Sequence, residues 1–93
     1  MLSGKEKRTM RAKANQMKAS VMIGRDGMSI KVEHFIDEAF SKKELVKVKV
    51  LDTCNDDRDK IAAQLEKLKD TEVVQVLGRT ILLYRPQKEN ESD

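Results

Sequence analysis

Val74-Gln75-Val76-Leu77-Gly78-Arg79-Thr80-Ile81-Leu82-Leu83-Tyr84-Arg85-Pro86 is the stretch on which the fold turns. Glu72 to Leu77 reads as a strand. Gly78-Arg79 then makes a two-residue connection that suits a type II′ hairpin, in which glycine leads. Thr80 to Tyr84 is apolar almost without interruption rather than alternating. That is the pattern of a central strand covered on both faces over part of its length. Pro86 lacks an amide hydrogen and ends it.

Working back along the chain, Leu45 to Leu51 has period two. Val46, Val48 and Val50 alternate with Lys47 and Lys49, giving one buried and one solvated face. Between these strands, Ile61, Ala62, Leu65 and Leu68 mark a helix. Asp57 and Asp59 fall in its first turn and Lys67 and Lys69 in its last, which suits the helix dipole. Asn55 in the preceding polar loop is a candidate cap. Val32, Phe35, Ile36, Ala39 and Phe40 repeat at i, i+3, i+4, i+7 and i+8, the stripe of an amphipathic helix, and Ser29 is placed to cap it. Ser20 to Ile23 is a short apolar strand, and Gly24-Arg25-Asp26-Gly27 is a turn. Ser3-Gly4-Lys5-Glu6 has the form of a capping box. The first helix is predicted from there to about Asn15 or Met17, with Met10, Ala14 and Met17 on its buried side. The order is helix, strand, helix, strand, helix, strand, strand.

The chain has 93 residues, 39% hydrophobic and 38% charged, with a net charge of +3. This length suits one domain, read here as residues 1–86. The tail at 87–93 carries one lysine against Glu89, Glu91 and Asp93, a net of −2, and reads as an acidic, flexible extension. It leaves +5 on residues 1–86 out of the chain's +3. A body this basic suits a polyanionic partner. A soluble protein with surplus lysine has the same composition. Cys54 is the only cysteine and His34 the only histidine, so neither an internal disulfide nor a zinc site is expected. No apolar run has the length of a membrane span, and the expected location is the cytoplasm.

Catalytic chemistry finds little to use. His34 has no acid or nucleophile beside it and reads as a helix-surface residue. Cys54 has no neighbouring histidine. Asp52, Asp56, Asp57 and Asp59 lack the glycine and distal glutamate of a calcium loop. The chain is therefore read as a non-enzymatic protein without cofactor or metal.

The turn Gly24–Gly27 is different because it leaves an apolar strand and opens onto a helix. Two glycines let the backbone approach a ligand. The free N–H groups of the next helix face phosphate oxygens, and Arg25 adds a donor. An ordinary tight turn is the alternative. The first helix adds Lys5, Lys7, Arg8, Arg11 and Lys13, followed by Lys18, against Glu6 alone. Aromatic content is 3%, and Phe35 and Phe40 are both assigned to the core stripe. No aromatic platform is then left for stacking bases, and an RNA partner is expected to be held by its backbone.

Three ordered segments, Val21-Met22-Ile23-Gly24-Arg25-Asp26-Gly27, Glu44 to Val50 and Val74 to Pro86, together with Leu2 to Arg8, resemble the CRM domain (chloroplast RNA splicing and ribosome maturation) of the stand-alone bacterial YhbY type. The resemblance covers about residues 2–86. It implies an α/β fold similar to the C-terminal domain of translation initiation factor three, a two-layer domain with a mixed four-stranded sheet, and an added N-terminal helix. It also implies RNA binding through a GxxG loop and association with ribosomal RNA in precursors of the large subunit. The expected binding residues are Gly24, Arg25, Asp26, Gly27, Lys5, Lys7, Arg8, Arg11, Lys18 and Lys31. The sequence does not fix the oligomeric state, and a monomer is favoured. Three positions depart from the family's usual pattern. Ala19 stands where proline is usual, and Asp70 near a position often held by glycine. Asp26 is an acidic residue in the loop, which either weakens the grip or caps the following helix. The alternative reading is a protein–protein adaptor that docks on a ribosomal or assembly factor without touching RNA.

Overall fold

The computed structural model describes residues 2–86. The acidic tail read at 87–93 lies outside the described residues. The elements follow the expected order: α1 (Gly4–Ala14), β1 (Val21–Ile23), α2 (Ile30–Phe40), β2 (Leu45–Val50), α3 (Arg58–Glu66), β3 (Glu72–Leu77) and β4 (Thr80–Tyr84). The four strands form one mixed sheet in the order β1-β2-β4-β3. β1 runs parallel to β2, whereas β4 is antiparallel to both β2 and β3.

β4 is central, as its continuous apolar run requires. Ile81 and Leu83 face one side with Val46, Val48 and Val50, against Ile36, Phe40, Ile61 and Leu65 of α2 and α3. Leu82 faces the other side and packs with Leu45 and Val74 against Met10 and Ala14 of α1. Two helices thus cover one face of the sheet, and α1 covers part of the other. Fully burying a side chain such as Leu82 is worth roughly 1.5–3 kcal/mol, so each face of β4 contributes to folding. Gly78 takes φ +59 while Arg79 does not, the combination a type II′ turn requires. Opposite β4, the register slips between Val73 and Gln75. This bulge inserts Val74 and turns it toward α1.

Local chemistry sets the helix ends. Ser3 Oγ accepts from Glu6 N at 3.1 Å and Glu6 Oε1 accepts from Ser3 N at 2.8 Å, completing the capping box. These bonds hold the Glu6 carboxyl below its ordinary pKa. Asp57, not Asn55, caps α3, its carboxylate accepting from Lys60 N at 2.8 Å. Asn55 turns away and donates to Arg25 O. α3 also ends before Lys69, so its last turn holds no basic residue. Asp70 follows with φ +58, the left-handed geometry glycine would adopt without strain.

Two basic side chains tie elements together. Lys47 Nζ donates to Ala14 O and Met17 O, both at 3.0 Å. It joins Met17 N as a second donor to Ala14 O, the last carbonyl of α1, and also bonds Met17 O just beyond it, which pins that end to the sheet. Arg85 donates to Asp37 Oδ1 at 3.0 Å and to Thr71 Oγ1, and its guanidinium lies 4.4 Å from the centre of the Phe40 ring.

Lys47→Met keeps the aliphatic stem and removes both donors. It is expected to destabilise the fold by about 1–3 kcal/mol and to raise amide exchange selectively between residues 10 and 17. Unchanged exchange there would show that apolar packing alone seats α1.

Candidate nucleic-acid interface

The loop at 24–27 leaves the end of β1 and delivers the chain to α2. Gly27 N donates to Gly24 O at 3.0 Å, closing a tight turn. The two glycines have different reasons to be there. Gly27 holds φ +63, and a Cβ on it would lie 2.9 Å from Asp56 Oδ2. Gly24 is not left-handed, and a Cβ there would meet Thr53 Oγ1 at an ordinary 3.5 Å. Only Gly27 is fixed by backbone geometry and close approach.

Between them, Arg25 and Asp26 are exposed. Asn55 Nδ2 donates to Arg25 O at 3.3 Å and steadies the turn from behind. Ser29, not Asp26, caps α2, its hydroxyl accepting from Val32 N at 3.2 Å. Glu33 N is taken by Ser29 O, and the N–H groups of Ile30 and Lys31, ahead of the first helical bonds, remain available. Arg25 forms no ion pair among the described residues. Exposed Lys31 stands in the first turn of α2, so the loop and the helix N-terminus offer two free cations and open backbone donors together.

This end of the sheet is of mixed charge. Asp52 pairs with Arg79 at 3.2 Å, Asp56 with Lys60 at 3.3 Å and Arg58 with Asp59 at 3.5 Å. Arg58 also donates to Gly78 O. Asp26 stays exposed without a capping role.

The basic helix does not join the loop in one patch. Lys7 pairs with Glu72 at 3.5 Å, and Glu72 lies opposite Tyr84, which pairs with Leu45 at the start of β2. The loop sits past the other end of β2, where Leu51 N donates to Ile23 O. The separation is about 20 Å along the strand. Lys5 and Arg8 therefore flank the far end of the molecule, on the sheet face opposite α2. Arg11 lies further along α1, and Lys18 in the segment leading to β1. Gly24, Arg25, Asp26, Gly27 and Lys31 come together, whereas Lys5, Lys7 and Arg8 form a second region.

Phe35 is the main correction to the sequence reading. It is 47% exposed rather than part of the core. Ile36 and Phe40 carry the buried stripe, and β1, only three residues long and at the sheet edge, is too small to cover Phe35. Lys49 was visible only as a residue on a solvated face. It joins Met22 and Thr80 in one row across the open side of the sheet, and Leu77 completes the row from β3.

Comparison with known proteins places this geometry in context. Residues 2–85 match the family described as the CRS1 / YhbY (CRM) domain. The chain is 38% identical over 91 residues to the probable RNA-binding protein YqeI of Bacillus subtilis, covering 98% of this chain and 95% of that protein. It is 40% identical over 89 residues to the probable RNA-binding protein MJ0652 of Methanocaldococcus jannaschii, covering 94% of this chain and 66% of that protein. The solution structure of the hypothetical protein SAV1595 from Staphylococcus aureus superimposes with a TM-score of 0.79 at 37% identity, over 99% of this chain and 96% of that one.

The unequal roles of the two glycines give a direct stability test. Gly27→Ala is expected to lose about 1–2 kcal/mol through its left-handed backbone, with crowding against Asp56 adding to it. Gly24→Ala is expected to stay within about 0.5 kcal/mol of the parent, as surface changes do. Equal denaturation midpoints for the two variants would contradict this geometry.

Proposed function

Because the chain belongs to the CRS1 / YhbY (CRM) domain family, we propose that it is a non-enzymatic RNA-binding protein whose first contact is the loop Gly24–Gly27. The observation that carries the reading is the unpaired Arg25, held outward on a turn that Gly27 alone permits, beside the open N-terminus of α2. A phosphate at this point meets backbone N–H groups, the positive end of the helix dipole and the charges of Arg25 and Lys31. Gly27 supplies the left-handed backbone on which the turn depends.

In this reading, α1 supplies a separate set of phosphate contacts. Lys5, Arg8 and Arg11 engage RNA that continues past the sheet end or wraps the domain. Lys7 contributes less, since Glu72 already engages it. Asp26 weakens the loop contact, because its capping role is taken by Ser29. The names of YqeI and MJ0652 support RNA as the partner. The family resemblance supports ribosomal RNA in large-subunit precursors as the RNA. The proposal takes the protein to act as a monomer in the cytoplasm.

The test is titration of RNA at several salt concentrations, since released counterions make affinity fall with salt. Arg25→Ala is expected to weaken binding with an unchanged thermal melt. Asp26→Asn is expected to strengthen binding slightly. Replacing Lys5, Arg8 and Arg11 by Gln is expected to weaken binding across unrelated sequences and flatten the salt slope by roughly 0.7–0.9 per lost contact. An affinity for RNA indifferent to salt and to Arg25 would overturn the loop mechanism and favour the adaptor role. In cells, depletion is expected to accumulate large-subunit precursors on a sucrose gradient, and a normal profile would overturn the assembly role.

A further inference from the structure

Between β1 and α2, the two elements that the loop joins, lies a groove of about 450 Å³. Its walls are Ser20, Val21 and Met22 on one side and Phe35, Glu38, Ala39 and Lys42 on the other. β1 is the edge strand of the sheet, so this side of the groove has no strand beyond it. The order along α2 is informative. Lys31, Phe35 and Glu38 are spaced i, i+4 and i+7 and share one face of the helix. Lys42 follows just past its end. Lysines therefore stand at both ends of the stripe, with a half-exposed aromatic ring and one carboxylate between them.

We propose that this groove is a base-stacking subsite for single-stranded RNA, entered from the loop, in which Phe35 stacks on an unpaired nucleobase. The inference rests on the RNA-binding reading above and adds a mode of selection to it. Charge separates base from phosphate along the stripe. Lys31 and Lys42 suit backbone phosphates. Glu38 repels a phosphate at the middle and accepts from a base N–H, since an ionised carboxylate only accepts. His34 Nε2, 3.9 Å from Glu38, does not close the groove, as both side chains are mostly exposed. Phe35 presents a half-exposed ring on the wall of the groove opposite Val21 and Met22. Lys31 stands one helical turn from Phe35 on α2, so a strand whose phosphate sits at Gly24–Gly27 passes along Lys31 to reach the groove. A protein strand added to the edge of β1 is disfavoured, because three residues offer few backbone partners. The groove also excludes a duplex, whose bases are already paired and stacked.

The test compares the parent with Phe35→Ala, Phe35→Leu and Arg25→Ala, each checked by thermal melt. The probes are a short single-stranded oligoadenylate, the same oligonucleotide with abasic sites at its internal positions, and a blunt RNA duplex. Phe35→Leu retains apolar cover should Phe35→Ala fold poorly. Loss of one stacked base is expected to weaken oligoadenylate binding by about 5- to 100-fold. Phe35→Ala and the parent are expected to bind the abasic probe equally, and duplex affinity is expected to stay at the parent value. If folded Phe35 variants bind oligoadenylate like the parent while Arg25→Ala is weakened, the stacking subsite is overturned and the loop contact stands. That outcome would leave the groove to a protein partner. If the parent binds none of the three probes, the RNA-binding reading itself fails.

Discussion

The rest of this structure depends on β4 being buried from both sides. A strand with only one covered face would leave either Leu82 or the pair Ile81 and Leu83 in water. The chain meets this constraint by laying α2 and α3 on one face and α1 on the other. That arrangement fixes β4 in the interior of the sheet, with β2 and β3 as its neighbours. It also pushes β1 to the edge, where it is short and leaves part of α2 uncovered. The exposed Phe35 and the groove beside it follow from the same constraint that stabilises the core.

The position of α1 has an electrostatic consequence. Met10 and Ala14 bind it to the sheet, Lys47 holds its C-terminal carbonyls, and Lys7 reaches Glu72 at the far end. The helix is thereby fixed with its basic N-terminal turn at the end of the sheet opposite the loop. The positive charge is spread over two separated regions. Such a layout suits a ligand with an extended, repeating negative charge better than a compact anion, because only the former reaches both regions at once.

The loop is held by chemistry that is not itself cationic. Asn55 supports the Arg25 carbonyl, and Asp56 stands where any side chain at position 27 would have to go. The carboxylates around the loop are mostly engaged with Arg79 and Lys60. Arg25 is thus presented on a rigid turn in a mixed field, a setting that favours positioned hydrogen bonds over bulk attraction. With so many carboxylates near, small changes in charge at Asp26 or Lys31 weigh more than they would in a uniformly basic cleft.

Much of this was legible in the chain. The uninterrupted Ile81-Leu82-Leu83, the alternation of Val46, Val48 and Val50, and the Gly78-Arg79 turn specify a hairpin inside a covered sheet. Side-chain period and turn chemistry are local properties. The capping box at Ser3 and the cap at Ser29 were legible for the same reason. Asn55 and Asp57 were harder to tell apart, since both residue types cap helices and only the path of the loop decides which reaches a free N–H. What the sequence could not decide is which face of a helix a neighbour covers. Phe35 fits the apolar stripe as well as Phe40 does, yet the three-residue length and edge position of β1 leave it in solvent. Likewise, no spacing along the chain shows that Lys5 and Arg25 lie at opposite ends of the sheet. Patterns with a period of two or four residues are set by the backbone and can be read from it. Distances between elements are set by packing, and exist only once the core has formed.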